Sequence, residues 1–206
     1  MKLFITTKNL DYIRNTQEIE LLTKECGGCR PDIIASSAGK YPARMAHVIR
    51  KLITCRFSDY DEIFVGFAPQ LIIPFFEGKF RRYRNDGGKV TIDFFISVYD
   101  TLVNDRKKIK KGSVPASVAA WLDKRTISLA DNVVVDTKAH GKYFTENFGL
   151  SMDKMQVLYL EADKSVYYPH TVKRAEEDAD KRIILYFASM LPLQGVETVL
   201  EAAKLM

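Results

Sequence analysis

The sequence predicts an α/β fold in which a Rossmann-like parallel sheet carries helices on both faces. Short apolar runs rich in β-branched and aromatic residues alternate six times with longer stretches of helical periodicity, an order typical of parallel sheets flanked by helices. Runs such as Ile63–Phe67 and Val133–Val135 are apolar almost throughout, which indicates strands covered on both faces. At 206 residues, of which 47% are hydrophobic, the chain can bury a sizeable core.

The elements follow one another in a regular order along the chain. Strands are predicted from the apolar runs, at Leu3–Thr6, Asp32–Ser36, Glu62–Phe67, Val90–Phe95, Asn132–Asp136, Met155–Leu160 and Arg182–Ala188. Helices are predicted from the stretches of helical periodicity between them, at Thr16–Glu25, Ala43–Arg56, Pro69–Arg82, Pro115–Leu129, Ala139–Phe148 and Val196–Leu205. The motif Cys26-Gly27-Gly28-Cys29 comes at the end of a predicted helix. It therefore favours a glycine turn over a redox or zinc site.

A charged, apolar-poor stretch before residue 182 interrupts the rhythm and predicts a linker. One strand–loop–helix unit follows the linker, and it cannot bury both faces of its strand. Either this unit completes the first sheet or it begins a second domain. We expect a first domain at 1–163, a linker at 164–181 and the start of a truncated second domain at 182–206. The apolar residues of that start would then promote self-association or pairing with a complementing C-terminal half.

Composition narrows the class of protein only a little. The net charge of +5 fits nucleic acid, an anionic membrane or an acidic substrate about equally well. No apolar run approaches the roughly 20 residues that cross a bilayer, and the first residues lack the pattern of a secretory signal. Three cysteines are typical of free thiols in a reducing compartment. These features predict a cytoplasmic protein, with the inner face of the membrane as an alternative location.

Several segments resemble the family-4 (group 1) glycosyltransferases of GT-B fold. In the block from Ala130 to Pro169, a helix ends at Phe-Gly, a strand follows, and the family's interdomain crossover corresponds to Leu160–Asp163. Pro192, Gly195 and Val196 hold the Pro-x-x-Gly-Val arrangement found at the start of the family's second domain. Tyr99-Asp100 stands where relatives often have His-Asp in the acceptor-side loop. Together these matches cover about half of the chain.

The resemblance implies transfer of a hexose from a nucleoside-diphosphate sugar to a glycan or lipid-linked acceptor, as in polysaccharide biosynthesis. The first domain would bind the acceptor, whereas the donor would sit mostly on the second domain, reached here by the loop with Ser189, Gln194 and Gly195. Relatives carry Arg and Lys where this chain has Ser189 and Gln194, which weakens the expected diphosphate contacts. No metal or other cofactor is expected. The resemblance leaves the sugar, nucleotide, acceptor and linkage open.

The candidate site residues lie in loops after predicted strands, where parallel sheets bind ligands. Asp100 is the candidate catalytic residue because a carboxylate at a strand end can orient or deprotonate a hydroxyl; the alternative is a cap on the turn at Thr101. The predicted acceptor-binding residues are Arg14, Asn15, Tyr99, Thr101, Asp105, Arg106, Lys107 and His140. The run Asp105–Lys111 holds five cations and fits a lipid phosphate, an anionic membrane or an acidic acceptor, with a solvated loop as the alternative.

Two other classes of function compete with a transferase. A non-catalytic glycosyltransferase-like protein that supports a complete transferase fits the departures at Ser189 and Gln194. A nucleic-acid-binding module rests on charge alone, since the basic cluster Lys79–Arg84 sits at the end of a predicted helix, where cations cap carbonyls. We therefore expect no nucleic-acid partner.

Overall fold

A computed structural model describes residues 1–37, 39–163, 165–169, 184–188 and 194–205. The chain divides into two compact units, Met1–Leu160 and Glu161–Met206. The first unit has a six-stranded, all-parallel sheet flanked by helices. The predicted α/β fold is therefore confirmed.

The sheet has the strand order β2-β1-β3-β4-β5-β6, and every pair of neighbours is parallel. The strands are β1 (Lys2–Ile5), β2 (Asp32–Ile34), β3 (Glu62–Val65), β4 (Lys89–Asp93), β5 (Asn132–Val135) and β6 (Met155–Val157). Each of them ends one to three residues before its predicted end. At several strands, burial continues into the residues beyond the last ladder pair. Phe94, for example, is fully buried although it follows β4.

The helices of the first unit are α1 (Ile13–Glu25), α2 (Tyr41–Thr54), α3 (Glu77–Asn85), α4 (Val114–Ser128) and α5 (Lys138–Phe148). Helix α1 ends in the predicted glycine turn, where Gly27 and Gly28 have φ values of 64° and 98° that favour glycine. The two helices after β4 and β5 begin at side-chain caps. Ser113 accepts from the amide of Ala116 at the start of α4, and Thr137 accepts from that of His140 at the start of α5.

The helix predicted at Pro69–Arg82 is the main error of the sequence analysis. Two short 3-10 turns, Pro69–Leu71 and Ile73–Phe76, occupy its first half, and α3 starts only at Glu77. Pro74 has no amide hydrogen to donate, and its ring would clash with the carbonyl one turn earlier in an α-helix. The helix therefore forms beyond the proline.

The sheet has a core on each face, as the continuous apolar strands predict. Val133 and Val135 of β5 point into the larger cluster, whereas Val134 points into the smaller one. The smaller cluster contains Phe4, Ile19, Leu22, Phe64 and Val134. Covering both faces leaves the sheet edges and the strand ends as the places where a ligand can reach polar groups.

The second unit is described only in part. Helix α6 (Val196–Lys204) begins after Gly195, and Ile184–Ala188 form no strand, contrary to the prediction for that range. Arg182, Ile183, Ser189 and most of the predicted linker lie outside the described residues. None of the described residues of this unit is buried, and Phe187 is 86% exposed. Self-association through these residues remains a prediction.

Candidate functional site at the carboxyl edge of the sheet

Polar side chains gather where the parallel strands end. The chain leaves β1 toward β2 on one side and returns to β3 on the other. In open α/β sheets, ligands usually bind at such a reversal, beyond the carboxyl ends of the strands. The loops after β4 and β5 continue the same edge and carry most of the candidate residues.

Asp100, the predicted catalytic residue, is half-buried at the start of a π-helical turn, Asp100–Asp105. Its Oδ1 accepts hydrogen bonds from the Tyr143 hydroxyl at 3.0 Å and from Asn104 Nδ2 at 2.7 Å. Burial and the Asp100 carboxylate raise the pKa of Tyr143 to about 12. Tyr143 therefore stays protonated near neutral pH and acts as a hydrogen-bond donor.

His140 forms a pair with Asp136 on the neighbouring strand end. Asp136 follows β5, and its Oδ1 lies 2.7 Å from His140 Nδ1. An ionised carboxylate only accepts hydrogen bonds, so Nδ1 carries the proton of this contact and Nε2 is left to meet a ligand. The His140 side chain is 51% exposed. His140 lies one helical turn before Tyr143. The His140–Asp136 pair and the Tyr143–Asp100 pair are therefore neighbours along α5.

A buried carboxylate, which the sequence analysis did not identify, fixes the loop that carries Asp100 through hydrogen bonds. Asp123 of α4 is fully buried. It accepts hydrogen bonds from Ser97 Oγ at 2.7 Å and from the amides of Val98 and Tyr99 at 3.0 and 2.9 Å. Gln70 Nε2 donates to it as well, at 3.0 Å. Burial raises the pKa of Asp123 above its ordinary value, and these four hydrogen bonds offset only part of that rise.

Arg14 and Asn15 do not face the solvent at this edge. Arg14 is 2% exposed, and its guanidinium donates to the Asp93 carboxylate, with Nη2 at 2.8 Å from Oδ1. A second guanidinium nitrogen donates to the carbonyl of Leu158. Asn15 is fully buried and donates to the carbonyl of Asn9 at 2.7 Å. Both side chains therefore position the strand ends and the first loop instead of forming the predicted contact with an acceptor.

Glu18 is a second buried carboxyl beside this ion pair. It is fully buried, and its Oε1 lies 3.4 Å from Arg14 Nε. Glu18 also lies close to the backbone of Gly66. A Cβ at this position would lie 3.0 Å from Glu18 Oε2, so glycine leaves room for the carboxyl. Burial, followed by the charge of Asp93, raises the pKa of Glu18 well above its ordinary value of 4.5. Neither carboxyl oxygen of Glu18 has a hydrogen-bond partner among the described residues. Burial without such partners favours the protonated, neutral form of the carboxyl.

The raised pKa of Glu18 predicts a pH-dependent stability. Folded Glu18 keeps its proton at pH values where the unfolded chain has lost it. The stability from this proton is complete below the ordinary pKa of 4.5 and is lost as pH rises toward the raised folded pKa. Within that window the free energy of unfolding should fall by up to about 1.4 kcal/mol per pH unit. Urea denaturation across this window measures it.

Glu18→Gln should abolish this contribution, because glutamine stays neutral at every pH. The matched control is Glu20→Gln on the exposed side of α1, which should leave the slope unchanged. An unchanged slope in Glu18→Gln would show that Glu18 is ionised in the folded protein.

The remaining predicted acceptor residues form the outer part of the site. Tyr99 is half-buried and packs against Phe148, with ring centroids 6.3 Å apart. Thr101 and Asp105 are half-buried in the π-helical turn, and the side chains of Arg106 and Lys107 are exposed. This arrangement leaves the two cations open to a ligand and Tyr99 mainly in a packing role.

The donor-side residues belong to the second unit. The carbonyl of Gln194 accepts from the Tyr186 hydroxyl at 2.8 Å, and Gly195 precedes α6 with a φ of 67°. Ser189 lies outside the described residues. The predicted donor contacts therefore remain a prediction.

A cavity of about 870 Å³ opens at the opposite, amino edge of the sheet, next to Lys79 and Tyr83. Two of its polar side chains are engaged within the protein, since Lys79 donates to the carbonyls of Leu52 and Cys55, and the Tyr83 hydroxyl to that of Tyr60. None of the predicted site residues that the structure describes lines this cavity. We therefore place the candidate site at the carboxyl edge.

Fold and site together define a Rossmann-like α/β protein with a polar edge built by the segments after β4 and β5 and by α5. Comparisons with models of protein families and with curated proteins find no match for this chain. Across the described ranges, no group of His, Cys, Asp or Glu side chains is placed to hold a metal ion. No helix in the same ranges is both long and apolar enough to span a bilayer.

Proposed function

We propose that the first unit is the acceptor-binding half of a glycosyltransferase that moves a hexose from a nucleoside-diphosphate sugar to a glycan or lipid-linked acceptor. The observation that carries this proposal is the group formed by Asp100, Tyr143 and the His140–Asp136 pair at the carboxyl edge. It offers the Asp100 carboxylate and the His140 imidazole as hydrogen-bond acceptors at a half-exposed edge, and the hydroxyls of a ligand can donate to both. The resemblance to group 1 glycosyltransferases supports the same assignment.

An acceptor hydroxyl loses its proton as it attacks the sugar. Asp100 and the free Nε2 of His140 are the two groups here that can receive a hydrogen bond from that hydroxyl. Tyr143 fixes the orientation of Asp100 by donating to Oδ1, which leaves Oδ2 toward the ligand. In the proposal, backbone amides and cations of the second domain stabilise the leaving diphosphate, and no metal takes part. A nucleotide-sugar donor would place the reaction in the cytoplasm.

Asp100→Asn should weaken acceptor binding about 5- to 10-fold, because a charge-assisted hydrogen bond becomes a neutral one. His140→Ala should have a similar effect. Titration calorimetry with a panel of oligosaccharides and polyprenyl-linked sugars measures the acceptor affinity of both variants. The control is Glu146→Gln, an exposed carboxylate on the same helix α5, which should leave binding unchanged.

Nucleotides provide the decisive contrast. If UDP or GDP binds the first unit and Asp100→Asn abolishes that binding, the edge is a nucleotide site and the acceptor assignment is wrong. If the acceptor binds at this edge but a chain carrying a complete donor-side domain transfers no sugar, the non-catalytic partner is the correct function.

A further inference from the structure

Helix α4 carries apolar residues on two opposite sides. Its inner side, with Ala116, Ala119 and Ile127, is buried. On its outer side Val114, Val118 and Trp121 are 78%, 50% and 53% exposed. The spacing i, i+4, i+7 puts these three on one helix face. Packing against α5 and the two 3-10 turns, Pro69–Leu71 and Ile73–Phe76, explains the inner side only. The outer stripe is left without an occupant in the described part of the chain.

A cluster of cations adjoins this stripe. Arg106, Lys107, Lys108, Lys110 and Lys111 lie in the loop that leads into α4, and all five are exposed. In the described ranges none of their side chains has an ion-pair or hydrogen-bond partner. The first turn of α4 has no acidic residue, so the cations lie beside the positive end of the helix dipole. The repulsion among these cations and the helix N-terminus is unfavourable, and binding to an anionic surface would compensate it.

We propose that this basic–apolar patch, formed by the five cations and by Val114, Val118 and Trp121, docks on the surface of an anionic lipid bilayer. Cations beside an exposed Trp and aliphatic stripe match the charged headgroups and the acyl boundary beneath them. A small anion would leave the stripe uncovered. A second copy of the same patch would bring five cations against five, and nucleic acid would gain nothing from the two valines.

The patch follows directly on the π-helical turn that begins at Asp100. Docking would therefore hold the candidate site close to the headgroups, where the sugar of a lipid-linked acceptor is presented. The docking proposal stands on exposure and charge alone and does not need the glycosyltransferase assignment. Loss of acceptor binding and loss of membrane binding are separate measurements on different variants.

Trp121 is the only tryptophan of the chain, so its fluorescence reports on the patch directly. The intact chain should sediment with vesicles of phosphatidylcholine and phosphatidylglycerol but not with phosphatidylcholine alone. Trp121 emission should shift to shorter wavelength on binding and should be quenched by brominated acyl chains. Lys108→Gln combined with Lys110→Gln should lower the partition coefficient about 25-fold, at roughly fivefold for each cation.

Matched controls separate the patch from net charge. Arg82→Gln combined with Lys142→Gln removes the same charge from side chains that are 88% and 78% exposed elsewhere, and it should leave binding nearly unchanged. Val118→Ser should weaken binding, whereas Ile53→Ser on the exposed side of α2 should not. Equal losses in patch and control variants, binding without a Trp121 shift, or no binding to anionic vesicles would each overturn the proposal. Displacement of the vesicles by an oligonucleotide bound at Trp121 would assign the patch to nucleic acid instead.

Discussion

Replacing Arg14 with methionine should lower the free energy of unfolding by about 3–5 kcal/mol, because it leaves a buried charge without its partner. The Arg14 guanidinium contacts Asp93 through Nε and Nη2 and donates to the carbonyl of Leu158. It therefore joins α1 to the ends of β4 and β6. Methionine fills a similar volume but neither compensates the Asp93 carboxylate nor satisfies the carbonyl.

Urea denaturation followed by circular dichroism measures this loss. Arg82→Met is the matched control, because Arg82 is 88% exposed and faces Asp86 only at 4.0 Å; it should change stability by less than about 0.5 kcal/mol. A double variant with Asp93→Asn should recover part of the loss, since it removes the buried charge that Arg14→Met exposes. A loss below about 1 kcal/mol in Arg14→Met, with no recovery in the double variant, would refute the role of the pair.

The sequence was sufficient for the architecture because its strongest signals are those of a buried parallel sheet. The stretches around Phe64 and Val134 are apolar on both alternating positions, and only strands covered on two faces tolerate that pattern. The helix starts at Ser113 and Thr137 follow from local capping chemistry. The helix predicted at Pro69–Arg82 starts late because Pro74 prevents α-helical hydrogen bonding around it, although the stretch has apolar periodicity.

The site could be predicted only in part, because its pairs join distant parts of the chain. Asp100 and His140 lie in the segments that follow β4 and β5, and this position in the chain predicted them at the carboxyl edge. The partner Asp136 is four residues before His140, and that spacing could have revealed it. Tyr143 and Asp123 approach the Asp100 loop from α5 and α4, and no local pattern reports such a contact. Arg14 was predicted to be exposed because its side chain is charged. Its burial depends on the ion pair with Asp93, which forms only when the sheet brings the two residues together.

Asp123→Leu should be the most damaging change to the site itself. The substitution leaves Gln70 Nε2, Ser97 Oγ and the amides of Val98 and Tyr99 without the carboxylate that accepts from them. Buried donors without acceptors cost about 1–3 kcal/mol each, so we expect a loss of at least about 3 kcal/mol in the free energy of unfolding. The loop from Ser97 to Asp100 should also lose its fixed position.

Amide hydrogen exchange separates this local effect from general destabilisation. In Asp123→Leu the amides of Val98 and Tyr99 should exchange much faster, whereas the paired amides of β4 stay protected under conditions where the variant remains folded. Acceptor binding should fall with the loop, because Asp100 depends on Ser97 through the hydrogen bond from its amide to Ser97 Oγ, at 2.9 Å. The control is Asp86→Leu at the exposed end of α3, which should change neither quantity. If Val98 and Tyr99 stay protected in Asp123→Leu, the buried carboxylate does not hold the loop, and Asp100 must be positioned by Tyr143 and Asn104 alone.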